Sequence, residues 1–338
     1  MNFTELHDEL RAVATDLLSK DCVDWPLLIQ AGWVGLDAPE DLGGAGATFA
    51  ETAVICEEIG RAAASTGYLG GAVLGVGALL AVAPNDVRDS LLENVLAGQT
   101  RVALALSAES ADAPFALTAD GHLDGCATFV PDAEAAQQLL LPATGPDGAP
   151  VIVTVRSADL IVEPQPVLDE TRRLATVSAD QVEMANGAQW HFDGDPHAGL
   201  RRLNDRAALA VACDSLGVAQ AMLDATVSYV GVRRQFGHPI GSFQAVKHAC
   251  ADMLVSISVA RRLVKAAVDD PGPTTVAMAK SYATETAVEV AGKAMQLHGG
   301  IGYTWESGVH VYLKRAALNR SLYGSPAALR ARLAERYQ

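Results

Sequence analysis

Two stretches of the chain carry residue types and spacings suited to holding a phosphorylated, flat ligand. The first is Arg233-Arg234-Gln235-Phe236-Gly237-His238-Pro239-Ile240, followed by Phe243-Gln244. An arginine ends one helical pattern there, a Gly and Pro turn follows, and a glutamine opens the next helix, where unpaired backbone N–H groups favour anions. That arrangement suits a diphosphate. The second is Gln296-Leu297-His298-Gly299-Gly300-Ile301-Gly302-Tyr303-Thr304. Its glycines follow a helix end and let backbone approach a flat ligand closely, although any tight left-handed turn asks for the same residues. Gly43-Gly44-Ala45-Gly46 follows no strand and is not a dinucleotide fingerprint. His191-Phe192-Asp193-Gly194-Asp195-Pro196-His197 has ligand-type residues but no cysteine or second ligand cluster, so no metal site is expected.

The elements that must position these stretches are helical at both ends of the chain and β-rich in the middle. Leu6, Leu10, Val13 and Leu17 form one helical stripe, and FAETAVICEEIGRAA after Thr48 forms a second helix beyond the turn-rich APEDLGGAG. Residues 101–194 break into short apolar runs (VALAL, ATFV, QLLL, VIVTV, LIV, LATV) separated by turns at Asp120-Gly121, Gly145-Pro146-Asp147-Gly148 and Asn186-Gly187. That spacing predicts a small β-sandwich or barrel. From Leu200 the helical period returns: Leu209, Ala212, Leu216, Ala219, Leu223 and Val230 make one stripe, and Phe243, Val246, Cys250, Met253, Ile257 and Val264 another. Asp270-Pro271-Gly272-Pro273 breaks the chain before a third helix over Val276 to Leu297, and the three can pack as an antiparallel bundle. The predicted regions are therefore 1–98, 99–196 and 197–338.

Composition narrows the function classes. The 338 residues hold 25 Lys+Arg against 40 Asp+Glu, a net charge of -15 that offers nucleic acid no basic field. Charged residues are 19% of the chain, below the roughly 25% of ordinary domains, which favours extensive subunit contact. Cys22, Cys56, Cys126, Cys213 and Cys250 are odd in number and widely spaced, as in a reducing, cytoplasmic compartment. The N-terminal residues lack the basic-then-apolar order of a signal peptide. Ala62 to Asn85 is free of charge, but its glycines and Pro84 point to a buried small-residue helix rather than a membrane span.

RRQFGHPIGSFQAVKHACADM resembles the flavin-binding signature of acyl-CoA dehydrogenases, and QLHGGIGYTWE resembles their second, C-terminal signature at the expected separation. The resemblance extends to PEDLGGAG and to the helical, β, helical order. It implies an acyl-CoA dehydrogenase-like fold: an N-terminal α-helical domain, a middle β-domain and a C-terminal four-helix bundle, in oligomers that bind FAD between subunits. Carried over, Arg233 pairs with the FAD diphosphate and Phe236 packs beside the cofactor. Gln244, Gln296 and Gly300 complete contacts to a neighbouring subunit's flavin, with Gln235 and Gly299 in the same two stretches. An arginine fork suits a diphosphate, and glycine leaves room for backbone approach.

Where the chain departs from the family, it departs at the chemistry. Members abstract the substrate α-proton with a glutamate before a glycine near the C-terminus, while a hydride leaves the β-carbon for the flavin. That position is Tyr323, before Gly324 and Ser325. Other members place the base ten residues before the glycine matched by Gly217, which is Ala207 here. A phenol with a reference pKa near 10 is a poor base at neutral pH, and alanine is none. The family's Thr-Glu and Gly-Ser-Asp elements are reduced to Ala108-Glu109-Ser110-Ala111-Asp112, and its Trp-Ile-Ser/Thr element corresponds to Phe129-Val130-Pro131, where proline brings no N–H or hydroxyl. Features serving a partner's FAD persist and those building a separate reaction site do not.

This asymmetry resembles the short, base-lacking subunits of heteromeric actinobacterial steroid-catabolic acyl-CoA dehydrogenases. It implies an α2β2 heterotetramer with a catalytic acyl-CoA dehydrogenase subunit, a steroid- or cholesterol-derived acyl-CoA substrate, an electron-transfer flavoprotein as acceptor, and no nucleic-acid or membrane partner. One alternative is a self-sufficient homo-oligomer using Asp205 or Tyr323 as base; another is a flavin-free scaffold or acyl-CoA-binding protein. Arg201, Arg202 and Arg206 form a basic cluster that meets either CoA phosphates or neighbouring acids.

Overall fold

The computed structural model describes residues 3–19, 23–109, 111–184 and 188–335; Cys22, Ser110 and the Asn186-Gly187 turn lie outside the described residues. Five helices precede the β-region: α1 (Phe3–Leu18), α2 (Trp25–Gln30), α3 (Phe49–Ala62), α4 (Gly77–Ala81) and α5 (Asp86–Leu96). Thr48 and Glu51 form a capping box at the start of α3, with the Thr48 N–H donating to Glu51 Oε2 (2.9 Å). The predicted stripe on α1 is displaced. Ala14, Leu17 and Leu18 are buried while Val13 is 54% exposed, because α1 packs on α3 along a narrow seam that passes on the Ala14 side. The APEDLGGAG loop is closed by the Gly46 N–H donating to Ala38 C=O (2.9 Å), and a Cβ on Gly44 would lie 2.1 Å from that same oxygen.

The uncharged stretch is buried from Tyr68 to Leu79 and exposed at its ends. It winds as a wide π-type helix over Tyr68–Val76 and continues into α4. A Cβ on Gly70 would lie 2.3 Å from Pro131 C=O, and one on Gly71 2.6 Å from the Trp25 ring, so the glycines serve contact with α2 and the β-region. Among the described residues the single helix long and apolar enough to cross a membrane is Pro196–Val232, and 83% of its apolar window is buried.

Eight strands follow: β1 (Val102–Leu104), β2 (Phe115–Leu117), β3 (His122–Pro131), β4 (Gln138–Thr144), β5 (Pro150–Arg156), β6 (Ile161–Pro164), β7 (Leu174–Glu183) and β8 (Gln189–His191). They pair in the order β6-β7-β3-β2-β4-β5-β8, with β1 parallel to β4. The expected sandwich or barrel is thus one continuous hydrogen-bonded path, open at β6 and β8 among the described residues. Side chains alternate across it. Leu139, Leu141, Val151 and Val153 enclose the β-region's own core, whereas Leu140 and Ile152 face the helical body.

Two short strands, β9 (Arg234–Gln235) and β10 (His238–Pro239), separate α6 (Pro196–Val232) from α7 (Gln244–Asp269); α8 (Pro273–His298), α9 (Val309–Ser321) and α10 (Pro326–Glu335) complete the chain. Asp195 caps α6, its carboxylate accepting the Ala198 N–H at 2.7 Å. The first predicted stripe is buried along its length, but the second is buried only from Met253 onward: Phe243 is 39% exposed and Val246 and Cys250 are half-buried at the free end of α7. Helices α6 to α9 pack as a bundle with α10 against α8. Gly60 and Gly217 let α3 and α6 touch backbone to backbone, since a Cβ on either would lie 1.9 Å from a carbonyl of the other helix.

A buried charge network joins the three regions. Asp214 on α6 accepts from Arg315 Nε (3.0 Å) and Nη2 (2.6 Å) and from Asn319 Nδ2 (2.6 Å), and Arg172 lies 3.1 Å away. Arg315 also donates to Ala64 C=O (2.9 Å) and Thr171 Oγ1 (2.8 Å). Burial alone would raise the Asp214 carboxyl, but the Arg315 and Arg172 charges and these donors hold it at about 2.

Candidate functional site

The last turn of α6 delivers Arg233 to the surface. Its N–H donates to Tyr229 C=O (2.9 Å), and Ile240 N–H donates to Arg233 C=O (2.8 Å), closing the β9–β10 hairpin. Phe236 sits at the tip with φ +52 and is 88% exposed, its ring meeting Phe243 edge-on at 6.2 Å. A left-handed non-glycine residue costs about 1–2 kcal/mol, and burial within this chain does not offset it at Phe236. Arg233, Gln235 and Gln244 are exposed, and in a chain so rich in acids the Arg233 guanidinium has no partner among the described residues.

The second stretch lies beside the first. Gln296, Gly299 and Gly300 are exposed at the end of α8, with Lys293 Nζ donating to Gln296 Oε1 at 3.1 Å. Gly299 turns with φ +64 and ψ -143, a glycine conformation. A Cβ on Gly300 would meet nothing within 4 Å, so nothing inside the chain requires glycine there, and its bare backbone opens outward. Tyr229 stacks on His298 at 4.4 Å, which brings the ends of α6 and α8 together. The result is one surface with an uncommitted arginine, an exposed aromatic ring and open backbone. Those groups fit a diphosphate joined to flat rings.

The positions matched to a catalytic base look different. Ala207 is fully buried in α6. Tyr323 is 93% enclosed, with 7% exposure and φ +53; its N–H donates to Ala108 C=O at 2.8 Å and its O–H finds no acceptor among the described residues. Burial pushes the phenol well above its ordinary pKa. Lys280 clamps the turn, its Nζ donating to Asn319 C=O (2.9 Å) and Gly324 C=O (3.2 Å); burial brings this ammonium down to about 7. Asp205 shares a cavity of about 190 Å³ with Ala108, Glu109, Tyr323, Gly324 and Arg332. Burial raises its carboxyl, and Arg332 at 3.5 Å opposes that shift. The space is smaller than the ~300–1,000 Å³ of ligand pockets.

On the β-region side the donors are spent. Thr128 Oγ1 donates to Glu109 Oε2 (3.1 Å), Phe129 N–H donates to Gln165 Oε1 (2.7 Å), and buried Pro131 has no N–H. These residues do not fit a flavin of the chain's own. Tyr323→Phe should therefore leave turnover of the flavin-loaded assembly unchanged and raise stability slightly, because it removes a buried, unpaired hydroxyl. A fall of about 10²- to 10⁴-fold in turnover would instead identify Tyr323 as a base.

Among the described residues no group of ligand-type side chains is clustered to hold a metal. The basic cluster is split: Arg201 and Arg202 are exposed, whereas Arg206 turns inward to Asp37 (2.5 Å) and Val73 C=O (2.7 Å) and lies over the Phe49 ring.

Residues 4–99 match the acyl-CoA dehydrogenase N-terminal domain and residues 201–338 the acyl-CoA dehydrogenase C-terminal domain. The chain belongs to the acyl-CoA dehydrogenase family, a class of FAD-dependent oxidoreductases. It is 33% identical over 323 residues to acyl-CoA dehydrogenase IpdE2 of Mycolicibacterium smegmatis, covering 94% of this chain and 89% of that protein. A solved variant of the Tcur3481-Tcur3483 steroid ACAD superposes with a TM-score of 0.86 at 28% identity, covering 98% of this chain and 97% of the other. A chain of the ChsE4-ChsE5 complex from Mycobacterium tuberculosis shares the fold, with a TM-score of 0.87 at 24% identity over 100% and 99% of the two chains. When bound, FAD supplies the hydride acceptor in this family. The groups available to hold it here are Arg233, Phe236, Gln244, Gln296 and the Gly299-Gly300 backbone.

Proposed function

We propose that this chain is a subunit of a heteromeric, FAD-dependent acyl-CoA dehydrogenase that forms the α,β-double bond of a CoA thioester. It completes the FAD site of a catalytic partner subunit rather than running a reaction of its own. The observation that carries the reading is an asymmetry within one chain. Arg233, Gln235, Phe236, Gln244, Gln296, Gly299 and Gly300 all face outward, with the Arg233 guanidinium unpaired among the described residues and Gln296 held only by Lys293, while the base positions hold alanine and an enclosed tyrosine. In this role Arg233 binds the diphosphate, Phe236 excludes water beside the cofactor, and the partner supplies the base. A steroid-derived acyl group draws support from the steroid ACAD relative, and a two-chain assembly, here α2β2, from the ChsE4-ChsE5 complex. The family resemblance adds an electron-transfer flavoprotein as acceptor, and the free cysteines suit a reducing cytoplasm.

A homo-oligomeric enzyme using Asp205 is the competing reading, favoured by the raised carboxyl of Asp205 in its small cavity. The two diverge in a direct assay. The chain purified alone and supplied with FAD should turn over no acyl-CoA, and addition of the co-purifying partner should restore activity. Turnover by the isolated chain matching that of the assembly would reject the subunit reading.

A further inference from the structure

We infer that Tyr229 and His298 are positioning residues that hold the two halves of the cofactor-facing surface at one fixed spacing. The halves belong to the ends of different helices. Arg233 follows α6 and Gly299-Gly300 follow α8, and the Tyr229 to His298 hydrogen bond joins residues 69 positions apart. Among the described residues no other hydrogen bond or ion pair links the two stretches. The Tyr229 ring lies nearly parallel to the imidazole, 4.4 Å between centroids and 18° between planes, and its O–H donates to His298 C=O at 3.3 Å. That carbonyl ends α8, where backbone acceptors lack helical partners.

Both residues are fixed on their own helices. His298 is buried, and its Nδ1 lies 2.8 Å from Ala294 C=O, so Nδ1–H donates to that acceptor and presents the ring face to Tyr229. The Tyr229 carbonyl in turn accepts the Arg233 N–H. The path from the guanidinium's backbone to the open glycines thus runs through Arg233, Tyr229 and His298 to Gly299, with a directed contact at each step. A ligand spanning both halves needs them placed within about 0.5 Å, which a single stacked and hydrogen-bonded pair at the junction can secure.

This inference rests on the cofactor reading above, and the test separates the two. FAD affinity, turnover per bound flavin and thermal midpoint are measured for the assembly in which the tagged chain purifies. The variants are Tyr229→Ala, Tyr229→Leu, Tyr229→Phe, Arg233→Ala and Arg234→Ala. Tyr229→Ala should weaken FAD binding about tenfold, the worth of a lost stack and hydrogen bond, while each flavin still bound turns over at the wild-type rate. Tyr229→Phe keeps the stack and should recover most of the affinity; Tyr229→Leu fills the volume and carries the test should the alanine variant not fold. Loss of flavin in Arg233→Ala with wild-type affinity in Tyr229→Ala and Tyr229→Leu, even at a lowered midpoint, would make the pair merely structural and overturn the inference. Unchanged affinity in Arg233→Ala would overturn the cofactor reading and the inference with it.

Discussion

Asp214→Ala is expected to destabilise the chain by about 3–5 kcal/mol, the cost of leaving buried arginines without their counter-charge. Arg315 is 1% exposed and holds Asp214 with two bonds, and Arg172 and Asn319 converge on the same carboxylate. Without it, the hydrogen-bond acceptors left to Arg315 among the described residues are Ala64 C=O and Thr171 Oγ1, with Asp169 as the remaining nearby negative charge, and the contact between α3, the β-region and the bundle loosens at its centre. The same group sets an acid limit. Its folded pKa of about 2 lies below the roughly 3.9 of an unfolded aspartate, so the native state releases this proton more readily than the unfolded chain. The stabilisation is complete above pH 3.9 and is lost as pH falls through 3.9 towards 2. Urea unfolding at neutral pH and across that acid range, for wild type and Asp214→Ala, checks both points. A variant within about 0.5 kcal/mol of wild type at neutral pH would show that the network contributes no net stability.

The network was also the part of the fold least legible in the sequence. Asp214, Arg172, Arg315 and Asn319 come from α6, a loop and α9, and a single buried carboxylate leaves no trace in a period-based reading. Its neighbours Ala212 and Leu216 follow the 3.6-residue stripe and lie in the core, because a helix that buries one face must space its apolar residues that way. The helix start after Thr48 and the break before Pro273 were legible for the same local reason. Val13 was not, since periodicity gives the width of an apolar face and not which edge meets a neighbour. Strands β2 and β8 are too short to announce themselves as apolar runs, and the π-type winding of Tyr68–Val76 depends on glycines fitting against Trp25 and Pro131.

The candidate site divides in the same way. Its outward residues were legible because motif spacing places Arg233 and Gly300 at helix ends without any tertiary information. The coupling of the two ends was not: Tyr229 reads as one more residue near a stripe, and nothing local says that it will meet His298. Likewise the base position could be recognised as tyrosine, but its enclosure and its contact with Ala108 depend on the β-region folding against α9 and α10.

Arg233→Ala is expected to weaken flavin retention by the assembly about 10- to 150-fold, the worth of a charge-assisted, bidentate pair with a diphosphate. The chain should fold normally, because the guanidinium has no hydrogen-bond or ion-pair partner among the described residues. Arg234 provides the control. It lies on β9, whereas Arg233 is the extended residue that closes α6, so the two guanidinium groups leave different elements. Arg234→Ala should retain flavin as wild type does. The contrast also excludes a general field effect, since both variants remove one positive charge from a chain of net charge -15. Bound-flavin absorbance per assembly at limiting FAD reads the outcome, with circular dichroism confirming the fold. Equal occupancy in wild type, Arg233→Ala and Arg234→Ala would mean that this chain does not build the cofactor site, and a matched loss in both would reduce Arg233 to bulk electrostatics.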